Sequence, residues 1–236
     1  MSMVEWKKDG TVAIMIMNNS ENRQNLIWCE AMLAIYDEIL ADREIKALVL
    51  TSSDAKNFSQ GVDIDWMNER LGVQDIDSVA KWIRLNFQVF RSMLMAPFPT
   101  IAAINGHAFG NGAILAGACD FRFMRADRGF FCLPEVDVEL HLTPSELEWM
   151  KRIIPQPLFT RMTLSGEKIK APELEKYEVI IKACESAEAT VAEALAYAKT
   201  FNKSRSSMAE LKKRAHKHIT DKMDYEDAAY FDFIIN

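Results

Sequence analysis

At 236 residues with 49% hydrophobic content, the chain is long enough to bury a full core, in one domain or a domain with a small appendage. A formal net charge of -6 argues against general nucleic-acid binding, and no apolar run is long enough to span a bilayer. The start, MSMVEWKKDG, lacks the apolar centre of a signal peptide, so the expectation is a soluble, cytoplasmic protein that contacts neither nucleic acid nor membrane.

In chain order, residues 11–17 (TVAIMIM) read as a strand that should pair with residues 46–51. Between them a helix is expected over residues 22–40, with Leu26, Cys29, Leu33, Tyr36 and Leu40 on its buried face. Residues 63–78 are acidic and poor in periodicity, suited to a mobile wall in which Trp66 and Met67 take part. From Val79 a helical stripe of Val79, Trp82, Ile83, Phe87, Phe90, Met93 and Leu94 runs until Pro97 stops it.

Residues 97–120, PFPTIAAINGHAFGNGAILAGACD, change character three times. Residues 100–104 read as a buried strand, Asn105-Gly106 as its end, and Gly110, Asn111 and Gly112 as the opening of a helix. Glycines there permit either tight strand-to-helix packing or close approach of a ligand to a helix start, where free N–H groups and partial positive charge favour an anion. Residues 121–124 and 129–132 read as short strands, with Glu135 in the loop that follows. Thr143-Pro144-Ser145-Glu146 is a helix start with a capping box. Residues 179–182 read as a last short strand. Everything after about residue 187 reads as helical, giving a core over residues 1–186 and a C-terminal helical region over 187–236. There Leu211, Ile219, Tyr230, Phe231 and Phe233 pack on the body or on another subunit.

Cys29, Cys119, Cys132 and Cys184 are scattered with no CxxC pair. That spacing suggests no zinc site and no disulfide framework, and buried thiols are expected. Lys212, Lys213, Arg214, His216, Lys217 and His218 form a local basic cluster; metal binding by His216 and His218 would need a third ligand.

The motif FSQGVD at residues 58–63, followed downstream by INGHAFGNGAILAGACDF, resembles the enoyl-CoA hydratase/isomerase (crotonase) superfamily over about residues 6–183. The resemblance implies an α/β fold, a spiral of β-β-α turns with a C-terminal helical region, and assembly as a homotrimer or hexamer. It also implies an acyl-CoA substrate whose thioester oxygen sits between two backbone N–H donors, carried over here to Gln60 and Asn111. Such donors are worth about 3–4 kcal/mol each. Phe58, Gly61, Val62, Asp63, Ile64, Gly110 and Ile114 would line the substrate and CoA site, and Asn22 and Arg23 would shape its entrance.

Hydratases of the superfamily hold a water between two glutamates. The first of those positions is Ile114 here, and the second matches Glu135 in LPEVD. An alkyl side chain cannot orient water or exchange a proton. The single-glutamate pattern resembles the Δ3,Δ2-enoyl-CoA isomerases, which implies conversion of 3-enoyl-CoA to 2-trans-enoyl-CoA with no metal and no redox cofactor, the CoA thioester being the substrate. Phe130, Phe131 and Leu133 are expected to surround Glu135 and raise its pKa. His107 and His141 are secondary candidates, Asp137 and Glu139 would exchange roles with Glu135 under a shifted alignment, and Cys132 has no basic partner to activate it. The alternatives are an enoyl-CoA hydratase, another reaction through a CoA enolate, and a non-catalytic acyl-CoA-binding protein.

Overall fold

The structure, a computed structural model, describes residues 2–235 and the side chains of residues 2–231; Phe233 lies outside those side chains. It opens on a hairpin, β1 (Val4–Asp9) and β2 (Val12–Met17), turned at Gly10 with φ of 61°. Gly carries that left-handed angle at little cost. Then follow β3 (Arg23–Gln24), α1 (Leu26–Ala41), β4 (Ala47–Ser52), β5 (Asn57–Ser59), β6 (Gly61–Val62), α2 (Ile64–Gly72) and α3 (Ile76–Met95). The middle of the chain is β7 (Thr100–Ile104), β8 (His107–Phe109), α4 (Asn111–Ala118), β9 (Phe121–Arg125) and β10 (Phe131–Cys132). After a 3-10 turn at Glu135–Val138 come α5 (Pro144–Ile153), α6 (Gln156–Ser165), α7 (Ala171–Lys176) and β11 (Lys182–Cys184). The chain closes with α8 (Ala187–Ala198), α9 (Arg205–Ala215), α10 (Lys217–Tyr225) and α11 (Ala228–Ile235).

The main sheet has the order β1-β2-β4-β7-β9-β11, parallel throughout except for the opening hairpin. A second, three-stranded sheet β10-β8-β5 and the pair β3-β6 stand apart from it. Strand pairs thus recur with a helix after each, the β-β-α repeat that the sequence resemblance implied. Parallel strands covered on both faces have to be apolar on both, and β4 and β7 are buried along their whole length. The larger core lies between this sheet and helices α1, α3, α4 and α5. On the other face α8 covers β4, β7 and β9, with Ala194 and Ala198 buried against Val49, Ile101, Ala103 and Phe123.

The expected pairing of the first strands is present, with Val12 opposite Ala47. The helix expected from residue 22 starts at Leu26 instead. Asn25 accepts from the Trp28 N–H as its cap, and Arg23–Gln24 are drawn into a strand with Gly61–Val62. Its buried face is Trp28, Cys29, Met32, Tyr36 and Ile39, rotated from the expected one so that the largest ring faces inward. Residues 63–78 are not irregular: Asp63 accepts from Trp66 N–H to start α2, and Asp75 accepts from Ser78 N–H to start α3. Two of the acidic residues there, Asp63 and Asp75, are thus helix caps. The last strand lies at Lys182–Cys184 rather than over 179–182, paired with β9. Both halves of the expected capping box are present at Thr143. All four cysteines are buried.

Among the described residues no helix is long and apolar enough to cross a membrane. The basic run at residues 212–218 does not form one patch. Lys212 is buried with its Nζ 2.6 Å from Asp120, His216 is buried against Arg152, Arg214 pairs with Glu210, and Lys217 with Asp221. Of the C-terminal apolar residues, Ile219 is buried and Phe231 packs edge-on to Phe87 at 4.8 Å, while Leu211 and Tyr230 remain exposed.

Candidate active site

Two backbone turns meet beside α4, and glycines decide how closely. At Gly61, φ is 79°, and a Cβ would lie 2.6 Å from the Phe109 carbonyl and 3.0 Å from the Asn111 nitrogen. At Gly112 a Cβ would lie 2.2 Å from the Ser59 carbonyl. Any side chain at either place would push the turns apart. Their contact sets the Asn111 amide, at the first position of α4, against the Gly61–Val62 segment. Gly110, with φ of 51°, precedes it and supplies no side-chain cap. The amides of a helix's first turn have no intrahelical acceptor and sit at the positive end of its dipole.

Gln60 does not supply the second donor. Its N–H donates to the Glu21 carbonyl at 3.0 Å, so it is engaged in joining the turn to the segment before β3. Farther along, the Asp63 N–H donates to the Gln24 carbonyl at 3.3 Å, on the β3 side. In the parallel pairing of Gln24 with Val62 it is the neighbouring Asp63 N–H that goes to β3, so the Val62 N–H is turned away from that strand.

Glu135 begins the 3-10 turn after β10. Its Oε1 lies 3.4 Å from where a Cβ on Gly110 would stand, which places the carboxyl directly over the start of α4. Burial pushes its pKa up to about 7, and Oε2 is buried with no hydrogen-bond partner. Phe131 and Leu133 on the neighbouring strand and turn are fully buried, while Phe130 stacks on His107 at 5.7 Å. Asp137 and Glu139 are exposed, the latter in a left-handed conformation with φ of 57°. Neither occupies the position of Glu135. Ile114 is buried one turn into α4, with its N–H donating to the Gly110 carbonyl.

The remaining expected site residues divide between wall and scaffold. Phe58 is buried, and its carbonyl accepts from Asn22 Nδ2 at 3.0 Å. Asn22 is itself buried at a φ of 51°, so it props the turn from beneath, whereas Arg23 pairs with Glu21 at the surface. Asp63 uses its carboxylate to cap α2 and to accept from Asn25 Nδ2 at 2.8 Å. Val62 and Ile64 are half-buried. Trp66 and Met67 pack on the core from α2, with the Trp66 ring 6.1 Å from Trp82. His107 is half-buried, and burial together with Arg128, Lys168 and Lys56 lowers its pKa; His141 is exposed. Among the described residues no cluster of three or more His, Cys, Asp or Glu suits a metal ion.

Three features escape a linear reading. Asn86 lies on the buried stripe of α3, where its Oδ1 accepts from Asn111 Nδ2 at 2.8 Å and its Nδ2 donates to Gln24 Oε1 at 2.9 Å. An asparagine in phase with Trp82, Ile83 and Phe90 was the available signal. Glu146 is a second buried carboxyl, pushed up to about 8 by burial and further by nearby Glu135 and Asp227. Asp227, between α10 and α11, is buried and accepts from Ser145 N–H at 3.0 Å and from Ser145 Oγ. Nothing near Asp227 in sequence announces a partner 82 residues away.

The sequence profile of enoyl-CoA hydratase/isomerase matches residues 7–232. Among curated relatives, a short-chain-enoyl-CoA hydratase of Clostridium acetobutylicum is 28% identical over 77% of this chain and 69% of its own length. A peroxisomal enoyl-CoA delta isomerase 1 of Arabidopsis thaliana is 29% identical over 80% of this chain and 78% of its own. Among solved structures, a probable enoyl-CoA hydratase of Mycobacterium tuberculosis superposes with a TM-score of 0.87 at 22% identity, covering 98% of this chain and 97% of that one.

Proposed function

Since the chain belongs to the enoyl-CoA hydratase/isomerase family, we propose that it is a Δ3,Δ2-enoyl-CoA isomerase, converting 3-enoyl-CoA to 2-trans-enoyl-CoA. The observation that carries this reading is the half-buried carboxyl of Glu135, its Oε2 closed off from solvent, over the start of α4, with an alkyl group, Ile114, where a hydratase has its other acid. On this reading the thioester oxygen accepts from the amides of Asn111 and Val62. Glu135 takes the proton from C2, and the electron pair of that C–H bond moves into a dienolate whose negative charge rests on the thioester oxygen. The same carboxyl then returns the proton to C4, leaving the double bond between C2 and C3. The step needs no metal and no redox partner, because only a proton moves. A site with little water protects the dienolate from competing proton donors.

The assay is formation of the conjugated thioester from 3-hexenoyl-CoA. Glu135→Gln should lower kcat by about 10²–10⁴-fold, the usual worth of a positioned acid-base group. Unchanged turnover in that variant would refute the assignment. A second reading, hydration of 2-enoyl-CoA, draws on the likeness to the Clostridium hydratase. It requires another acid to hold water and predicts a 3-hydroxyacyl product from the 2-enoyl thioester. The family resemblance also carries assembly as a trimer or pair of trimers through the C-terminal helices, where Leu211, Tyr225 and Tyr230 stay exposed. Sedimentation at rising concentration tests it.

A further inference from the structure

The side chains of Asn111, Asn86 and Gln24 and the backbone carbonyl of Asn111 close a ring of hydrogen bonds. Asn111 Nδ2 donates to Asn86 Oδ1 at 2.8 Å, Asn86 Nδ2 donates to Gln24 Oε1 at 2.9 Å, and Gln24 Nε2 donates back to the Asn111 carbonyl at 3.2 Å. Gln24 Nε2 also reaches Ser59 Oγ at 3.3 Å. That hydroxyl accepts from the Gly61 N–H at 3.1 Å and donates to the Asn22 carbonyl at 2.7 Å. From the far side, Trp82 Nε1 donates to the Gln24 carbonyl at 3.0 Å. Gln24, Asn86 and Ser59 are all buried.

Each amide in the ring has one workable orientation, because turning any of them over sets oxygen against oxygen or N–H against N–H. A buried amide left unpaired is costly, and a fully satisfied buried network is stiff. The ring therefore joins three places that the sequence separates: the strand before α1, the middle of α3 and the two turns that carry the backbone donors.

We infer that Gln24 and Asn86 are positioning residues, locking the Asn111 amide and the Gly61–Val62 turn into one rigid oxyanion cradle. The inference rests on the oxyanion reading above. Neither residue needs to touch the substrate. Asn111 stands between two glycines, and the side chain held by Asn86 ties its position to the middle of α3. Hydrogen bonds weaken steeply with misalignment, so a small tilt of the Asn111 amide is felt at the thioester oxygen.

The test uses the whole protein with butanoyl-CoA, a saturated thioester that binds without turning over, and reads the infrared band of its carbonyl. Two aligned N–H donors should move the band of the bound thioester to lower frequency in the unaltered protein. Asn86→Leu and Gln24→Leu should each lose at least half of that movement. In both, kcat on 3-hexenoyl-CoA should fall by about ten- to a hundredfold, as misplacement near a reacting centre does, with KM within about threefold because ground-state binding is retained. Should Asn86→Leu fail to fold, Asn86→Asp carries the test. It keeps the acceptor for Asn111 but loses the donor to Gln24, and it too should reduce the movement. Full movement of the band in a folded Asn86 variant and in Gln24→Leu overturns the positioning role. An unaltered protein that binds butanoyl-CoA with no movement at all overturns the oxyanion reading beneath it instead.

Discussion

A carboxylate that takes a proton at neutral pH and hands it back needs an acidity near that pH, and burial over Gly110 pushes Glu135 up to about 7 from the ordinary 4.5. Only the ionised form can act as the base, so kcat/KM should fall about tenfold per pH unit below 7 and level off above it. A profile flat from pH 5 to 8 would mean that another group takes the proton. Glu146 makes a separate prediction about stability. Its folded pKa is raised to about 8, so above pH 4.5 the unfolded chain releases a proton that the folded chain keeps. The stability Glu146 lends is fully present below pH 4.5 and lost as pH rises through 8. Glu146→Gln keeps an acceptor for the Thr143 N–H and removes the ionisation, so thermal melts between pH 5 and 8 should show a shallower decline than the parent protein.

The elements around the site hold their places by the absence of side chains as much as by their presence. Gly112→Ala would put a methyl group 2.2 Å from the Ser59 carbonyl. We expect it to separate the start of α4 from the β5–β6 turn and cut kcat about a hundredfold. Gly72→Ala is the control: nothing lies within 4 Å of a Cβ there, and alanine in the last turn of α2 should stabilise by about 0.5–1 kcal/mol. Comparing melts and turnover of the two variants separates close approach from a general effect of glycine. Most strands, the capping box at Thr143 and the carboxyl in LPEVD could be read in the linear sequence, because periodicity, cap residues and motif order are local signals. Gln60 differs from the expected donor because hydrogen-bond direction along a short strand depends on its partner, and β3 lies where the sequence pattern predicts the start of a helix. Residues 63–78 show little periodicity because their helices are short and half-exposed, although Asp63 and Asp75 stand in the sequence as cap residues.

At the scale of the whole molecule, the C-terminal helices are fastened to the body by buried polar contacts as well as by apolar packing. Lys212 on α9 bonds the Phe98 carbonyl at 3.0 Å and pairs with Asp120, whose other contacts reach Thr100 at the start of β7. Removing one member of a nearly buried pair strands the other, so Lys212→Met should destabilise by about 3 kcal/mol, read as a lower denaturation midpoint. The effect on kcat should be small, because this contact lies at the opposite end of α4 from Glu135. A second fastening, Asp227 on Ser145, has a temporal meaning. Ser145 and Glu146 open the helix beside the candidate site, yet the carboxylate that secures them comes 82 residues later in the chain. During translation Glu135 and Ser145 leave the ribosome well before Asp227, so the start of α5 gains this brace only after α6 to α10 have been made.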